Sequence, residues 1–215
     1  MIVQVKICGI NDPAAFDAAV QAGADWVGFV FYPPSPRYVA PATAAALSAR
    51  VAGGPGRVGL FVDPADELLE DVLRAVQLDA VQLYAGPERV ADLRTRFGRP
   101  VWHALGIETE ADLPATAGSA ERLVLEAKPP VDATRPGGNA ARFDWSVLRG
   151  WRAPAPWVLA GGLTPRNVGT AILATGAAAV DVSSGVERRP AVKDPALIRA
   201  FVAAAKHSPS PCGRG

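Results

Sequence analysis

A single (β/α)₈ barrel, the TIM-barrel architecture of the α/β class, is the fold predicted for this 215-residue chain, and three observations carry it. Short runs rich in Val, Ile, Leu and Phe alternate with longer Ala/Leu-rich stretches from end to end. Eight such pairs fit into about 200 residues, roughly one βα unit every 25. No G-x-G-x-x-G follows the first run, which disfavours the competing doubly wound open sheet.

The eight runs are Ile2–Cys8, Asp25–Phe31, Arg57–Val62, Ala80–Leu83, Pro100–Ala104, Arg122–Ala127, Trp157–Ala160 and Ala179–Val182. Most are nearly continuous in apolar residues, as parallel strands covered on both faces are. Helix-like stretches fall around 13–22, 41–52, 65–77, 87–97, 109–117, 143–149, 165–175 and 194–206. Asp12-Pro13, Asp63-Pro64, Thr164-Pro165 and Asp194-Pro195 each put a capping side chain before a proline suited to the first helical position. Gly23, Gly98 and Gly176 stand where helices should stop. Residues 1–206 read as one catalytic barrel and 207–215, rich in Ser, Pro and Gly, as a disordered tail. The longest irregular stretch is 128–142, a length usually kept for function or mobility.

Composition narrows the function classes. Hydrophobic residues make up 49% and charged residues 20%, too apolar for a disordered chain. No apolar run approaches the ~18 residues of a membrane span, and residues 1–10 lack a leader pattern, so a cytoplasmic protein without a membrane partner is expected. A net charge of +1 without a basic block argues against nucleic acid. The two cysteines, Cys8 and Cys212, form neither a disulfide framework nor a metal-ligand spacing.

Chemistry in this architecture belongs at the carboxyl ends of the strands, which read Cys8, Phe31, Asp63, Tyr84, His103, Glu126, Gly161-Gly162 and Ser183-Ser184-Gly185. Cys8 sits before Gly9, and reads either as a small buried hydrophobe or as a thiolate serving as nucleophile or base. Glu126 ends an apolar run. It needs either a salt bridge, with Lys128 or Lys6 in reach by sequence, or a role as general acid, since partial burial raises a carboxyl pKa. Gly161-Gly162, leading into Thr164-Pro165, and Ser183-Ser184-Gly185 occupy the places after strands seven and eight where this fold holds phosphate. Arg37, in the proline-stiffened Tyr32–Tyr38 loop, is either a solvated surface arginine or a bidentate clamp for a substrate carboxylate. Asp181 orients a loop, caps amides or pairs with an arginine, and His103 packs or hydrogen-bonds within the barrel. The five tryptophans are scattered and read as packing.

In order along residues 5 to about 202 stand Val5-Lys6-Ile7-Cys8-Gly9-Ile10, Gly28-Phe29-Val30-Phe31-Tyr32, Ser35-Pro36-Arg37-Tyr38-Val39 and Val81-Gln82-Leu83. Phe143-Asp144-Trp145, Leu159-Ala160-Gly161-Gly162-Leu163, Val180–Glu187 and Val192-Lys193-Asp194-Pro195 follow. With these segments the chain resembles the phosphoribosylanthranilate isomerases of tryptophan biosynthesis. The resemblance implies a barrel without metal or organic cofactor, working as a monomer or homodimer on a small phosphosugar. It implies an aldose–ketose isomerisation, the Amadori rearrangement of N-(5-phosphoribosyl)anthranilate to 1-(2-carboxyphenylamino)-1-deoxyribulose 5-phosphate. By motif position Cys8 matches the family's general base, Glu126 its general acid, and Arg37 the anchor of the anthranilate carboxylate. Tyr84 and Asp181 fall among substrate-binding positions, and Gly161, Gly162, Ser183, Ser184 and Gly185 match the phosphate site.

Three departures accompany the match. The family's strand-six aspartate is Glu126, its strand-four histidine is Tyr84, and its glycine-glycine-threonine-glycine reads Gly137-Gly138-Asn139-Ala140. They keep two alternatives open: a paralogous isomerase for another phosphoribosylated aromatic amine, and a non-catalytic phosphosugar-binding barrel. A binding protein needs neither Cys8 nor an acid at 126. On sequence alone, Glu126→Asp is expected to preserve or raise activity.

Overall fold

A computed structural model of the chain describes residues 2–129, 137 and 142–208. Eight parallel strands close into a barrel in sequence order. The first half runs β1 (Gln4–Cys8), α1 (Pro13–Ala22), β2 (Trp26–Val30), α2 (Pro41–Ser48), β3 (Gly56–Val62), α3 (Asp66–Ala75), β4 (Ala80–Tyr84) and α4 (Pro87–Phe97). The second half runs β5 (Val101–Ile107), β6 (Arg122–Ala127), β7 (Trp157–Leu159), α5 (Val168–Thr175) and β8 (Ala179–Val182). A small antiparallel hairpin of β9 (Glu187–Arg189) and β10 (Val192–Lys193) then leads into α6 (Pro195–Lys206). Residues 209–215, Cys212 among them, and Gly138, Asn139 and Ala140 lie outside the described residues.

The strands divide the core in two. Outward side chains such as Val5, Ile7, Val27, Phe29 and Leu83 pack with Phe16, Leu69, Leu93 and Phe201 of the helices into one continuous buried layer. Inward side chains, including Val58, Ala80, Trp102, Ala104, Val124 and Val158, fill the barrel itself. That two-sided burial is why the strands lack a polar alternation. At the floor, Trp26 and Trp102 meet edge to face at 5.0 Å, and the Arg122 guanidinium lies over both rings. The tryptophans therefore pack, as read.

Two of the four Asp/Thr-Pro signals behave as written. Asp12 accepts from the Ala15 N–H at 3.0 Å, and Asp194 from the Ala196 N–H at 2.8 Å. At the other two the helix begins later, at Asp66 and Val168. Gly23, Gly98 and Gly176 end their helices in the left-handed conformation. The second helix stops at Ser48, not at 52, because the buried Arg57 guanidinium takes the carbonyls of Ser48, Val51, Gly53 and Pro55.

Two expected helices shrink to 3₁₀ turns, Glu110–Asp112 and Trp145–Leu148. In the first, the Asp112 carboxylate closes back on the Glu108 and Thr109 N–H groups, and Leu113, preceding Pro114, is extended with ψ 128°. Proline disfavours the helical conformation in the residue before it. The second ends at Leu148, and the chain turns away two residues later at Gly150, whose φ is +79°. Tryptophans cover the barrel beside these short turns: Trp151 stacks edge-on against Trp157 at 5.7 Å and donates to the Pro114 carbonyl.

Candidate active site

At the carboxyl ends of the strands the barrel interior turns polar. Lys6 and Cys8 alternate inward on β1, and the β1–β8 register sets Lys6 beside Asp181. Lys6 is fully buried, and its Nζ donates to Asp181 Oδ2 at 2.9 Å. Lys6 lies close enough to the Cys8 thiol for the two to act on each other electrostatically. A Cβ at Gly28 would lie 2.9 Å from Cys8 Sγ and 3.2 Å from Lys6 Cε, so glycine at that position leaves room for both side chains. Burial pushes the Cys8 thiol above its ordinary value, Lys6 pulls it down, and Asp181 pushes it up again. On Lys6 burial acts downward, but Asp181 and Cys8 outweigh it and the ammonium is held above its usual range.

Across the mouth, Glu126 points inward from β6, whose register sets it beside Gly106 of β5. Neither lysine that the sequence offered as a partner takes it. Lys6 is engaged by Asp181, and Lys128 reaches Glu108 and Asp112 at 3.7 Å. Glu126 faces Tyr84 of β4 instead: the carboxyl and the Tyr84 hydroxyl both lie against Gly137. Burial and that carboxylate push the phenol well above its ordinary value, so it keeps its proton. Tyr84 also packs against Cys8, Val30 and Leu60, bridging the two reactive groups.

Gly137 lies over this pair. A Cβ there would collide with the Tyr84 hydroxyl and lie 2.6 Å from Glu126 Oε1. Gly137→Ala should displace the segment and lower kcat/KM about tenfold, with little change in Tm because no core contact is lost. Steady-state kinetics beside a thermal melt check this, and undiminished activity would mean the close approach is not needed.

Arg37 is not a solvated loop residue: it is 5% exposed. Its Nε and Nη2 donate to the Glu187 carboxylate at 2.7 and 3.0 Å, and its stem crosses Gly9, where a Cβ would lie 2.8 Å from Arg37 Cδ. The Nε/Nη2 edge of the guanidinium is thus held within the protein. Asp181 pairs with Lys6, not with an arginine. His103 does not end its strand, because β5 continues to Ile107; its Nε2 meets the Ala85 carbonyl at 2.9 Å.

The two small-residue loops come together. Gly161 and Gly162 have φ of +85° and +61°. Asn167 holds their loop: its side-chain oxygen accepts from the Thr164 N–H at 2.7 Å and its amide donates to the Gly162 carbonyl at 3.0 Å. A Cβ at Gly185 would overlap the Leu163 carbonyl, so only glycine lets the loops after β7 and β8 touch. Ser184–Val186 forms one 3₁₀ turn, and Ser183 is gripped by Lys193 through its carbonyl at 2.9 Å and its hydroxyl at 3.2 Å.

Lys6, Asn167, Glu187 and Lys193 are structural members of the site that residue-by-residue reading passed over. Lys6 had a signal, since a lysine between Val5 and Ile7 in a buried strand requires a partner. The others had none, because their partners are remote or ordinary in sequence.

A family model described as N-(5'phosphoribosyl)anthranilate (PRA) isomerase matches residues 5–204. The N-(5'-phosphoribosyl)anthranilate isomerase of Acidiphilium cryptum is 54% identical over 206 residues, covering 95% of this chain and 98% of that protein. A dimeric phosphoribosylanthranilate isomerase from Thermotoga maritima, solved as mutually generated monomers, superposes with a TM-score of 0.81 at 39% identity, over 95% of this chain and 99% of that one. A phosphoribosylanthranilate isomerase in complex with reduced 1-(o-carboxyphenylamino)-1-deoxyribulose 5-phosphate superposes equally well, at 38% identity over the same shares. The barrel order, the Lys6–Gly9 opening and the Asp181–Glu187 close therefore carry a family assignment: this chain belongs to the phosphoribosylanthranilate isomerase family.

Proposed function

We propose that the protein is a phosphoribosylanthranilate isomerase of tryptophan biosynthesis. The observation that carries the chemistry is a thiol and a carboxyl facing one barrel mouth, Cys8 beside Lys6 and Glu126 beside Tyr84. An aldose–ketose shift needs such an acid and base around one sugar.

Glu126 gives a proton to the furanose oxygen as the C1–O bond breaks, and the anthranilate nitrogen closes a C1=N bond. The Cys8 thiolate then takes the C2 proton, and the electron pair moves into C1–C2 as the iminium nitrogen is neutralised. Loss of the enol proton with protonation at C1 leaves the 2-ketone; Cys8 then gives up the proton it took and Glu126 regains the one it gave, so the reaction is a net isomerisation. Every step is a proton transfer or bond shift that these two side chains serve. The loops 161–162 and 183–185 hold the phosphate, Arg37 receives the ring carboxylate, and Asp181 lines the sugar beside Cys8. Asp181 Oδ1 is buried with no hydrogen-bond partner among the described residues, which suits a substrate hydroxyl.

The test generates phosphoribosylanthranilate in situ from anthranilate and phosphoribosyl pyrophosphate and follows the loss of its fluorescence. Turnover is expected, and folded protein that leaves the signal unchanged would overturn the reading. The Tyr84 contact reverses what the sequence implied for Glu126→Asp. Withdrawing the carboxyl by about 1 Å from Tyr84 should lower kcat by about ten- to a hundredfold. Unchanged or higher kcat would mean the Tyr84–Glu126 contact has no part in catalysis.

The chain acts as a cytoplasmic monomer or homodimer, with residues 1–206 as its catalytic barrel. No helix among the described residues is long and apolar enough to cross a membrane. Sedimentation of the purified protein distinguishes the two assembly states.

A further inference from the structure

The β9–β10 hairpin exposes Arg188 and Arg189 but turns two charged side chains that the isomerisation does not use, Glu187 and Lys193, into the protein. Glu187 opens β9, Lys193 closes β10, and the antiparallel register places them face to face. Every acceptor position of the Glu187 carboxylate is committed. Oε1 takes Arg37 Nε at 2.7 Å and Lys193 Nζ at 2.9 Å, while Oε2 takes Arg37 Nη2 at 3.0 Å and the Ala191 N–H at 3.2 Å. Lys193 spends its remaining donors on the Ser183 carbonyl and hydroxyl. The hairpin is tied to the loop after β1 as well, since Asn11 donates to the Ala191 carbonyl at 3.3 Å.

This cluster is buried, with Arg37 at 5% and Lys193 at 2% exposure. Among the described residues it sets two cations, Arg37 and Lys193, on one carboxylate. Burial pushes the Glu187 carboxyl up, but Arg37 and Lys193 together hold it below its ordinary range. Burial lowers Lys193, and Glu187 works against that loss. Without the carboxylate, two buried cations would lie side by side with nothing between them, and Arg37, which stays protonated, would have to shift.

We propose that Glu187 is a positioning residue that sets both anion-recognising ends of the site at once: it aims Arg37 directly and seats the Ser183 loop through Lys193. The inference rests on the reading above of Arg37 as carboxylate receptor and of the 183–185 loop as phosphate cradle. Its consequence is that recognition of the substrate's ring carboxylate and of its phosphate are not independent, although they approach from different loops.

The experiment measures affinities of the full-length protein for three probes. They are reduced 1-(o-carboxyphenylamino)-1-deoxyribulose 5-phosphate, the same compound without the ring carboxylate, and the same compound without the phosphate. In the wild type each deletion should weaken binding at least about tenfold. In Glu187→Gln both penalties should shrink severalfold together, KM should rise, and kcat at saturation should stay within about threefold because Cys8 and Glu126 are untouched. Arg37→Met should erase the carboxylate penalty and leave the phosphate penalty in place. Glu187→Asp keeps the charge but is a methylene too short to span both cations, and it should shrink both penalties in part; it carries the test if the glutamine variant does not fold. Loss of one penalty alone in the Glu187 variants, or of neither, overturns the proposal. A wild type with no carboxylate penalty overturns it together with the role given to Arg37, whereas absence of turnover in a protein that shows both penalties strikes only the isomerase reading.

Discussion

Replacing Cys8 by serine should cut turnover of phosphoribosylanthranilate by about a thousandfold or more, the scale on which a positioned acid or base contributes. A serine hydroxyl occupies nearly the same space but ionises far above neutral pH, so proton transfer from the sugar loses its acceptor. Affinity for the reduced product analogue should stay within a few fold, because the thiol holds neither the phosphate nor the carboxylate. The wild-type profile should share this signature. Burial raises the Cys8 thiol, so the thiolate fraction, and with it kcat/KM, should climb on the alkaline side of neutrality. Fluorescence-loss kinetics across pH, with Cys8→Ser measured in parallel, provide the check. Turnover unchanged in the serine variant would remove Cys8 from the mechanism.

Breaking the pair beneath the thiol should have the largest effect on stability. Lys6→Met leaves Asp181 charged and 7% exposed with no counter-ion, a loss of about 3–5 kcal/mol for a severed buried pair. The native contribution has a defined pH window. The folded Lys6 value lies above the unfolded one, so the stabilisation is full below the ordinary lysine range and is lost only as pH rises through the folded value. Urea unfolding at neutral pH should therefore show the full deficit. Lys6 also favours the ionised thiol, so its removal should move the alkaline limb of the activity profile to still higher pH. Lys6→Met combined with Asp181→Asn should recover much of the stability, since no buried charge is stranded, and the limb should move part of the way back, since the charge that raises the thiol is gone too. A Lys6→Met protein as stable as the wild type would show that the pair has no structural weight. An unmoved limb would show that Lys6 does not tune Cys8.

The positions of these groups were unequally legible in the chain. The strands, the cap at Asp12 and the stop at Gly23 are local properties, set by a run of side chains or by one backbone conformation, and periodicity exposes them. The lost helices at 109–117 and 143–149 show the limit of that reading. A side chain closing on its own turn and a proline placed one residue after Leu113 overrode an otherwise helical composition. At the site, strand ends alone located Cys8, Tyr84, Glu126 and the two glycine-serine loops, because a parallel barrel puts every carboxyl end on one face. The sequence by itself thus determined the barrel and the list of reactive groups at its mouth. Only the tertiary structure decided who partners whom: Lys6 with Asp181 across 175 residues, Arg37 with Glu187 across 150, and Tyr84 with Glu126 between separate strands. Such pairings follow from barrel closure and strand register, which join distant segments, and a buried charge takes the partner that geometry brings, not the one nearest along the chain.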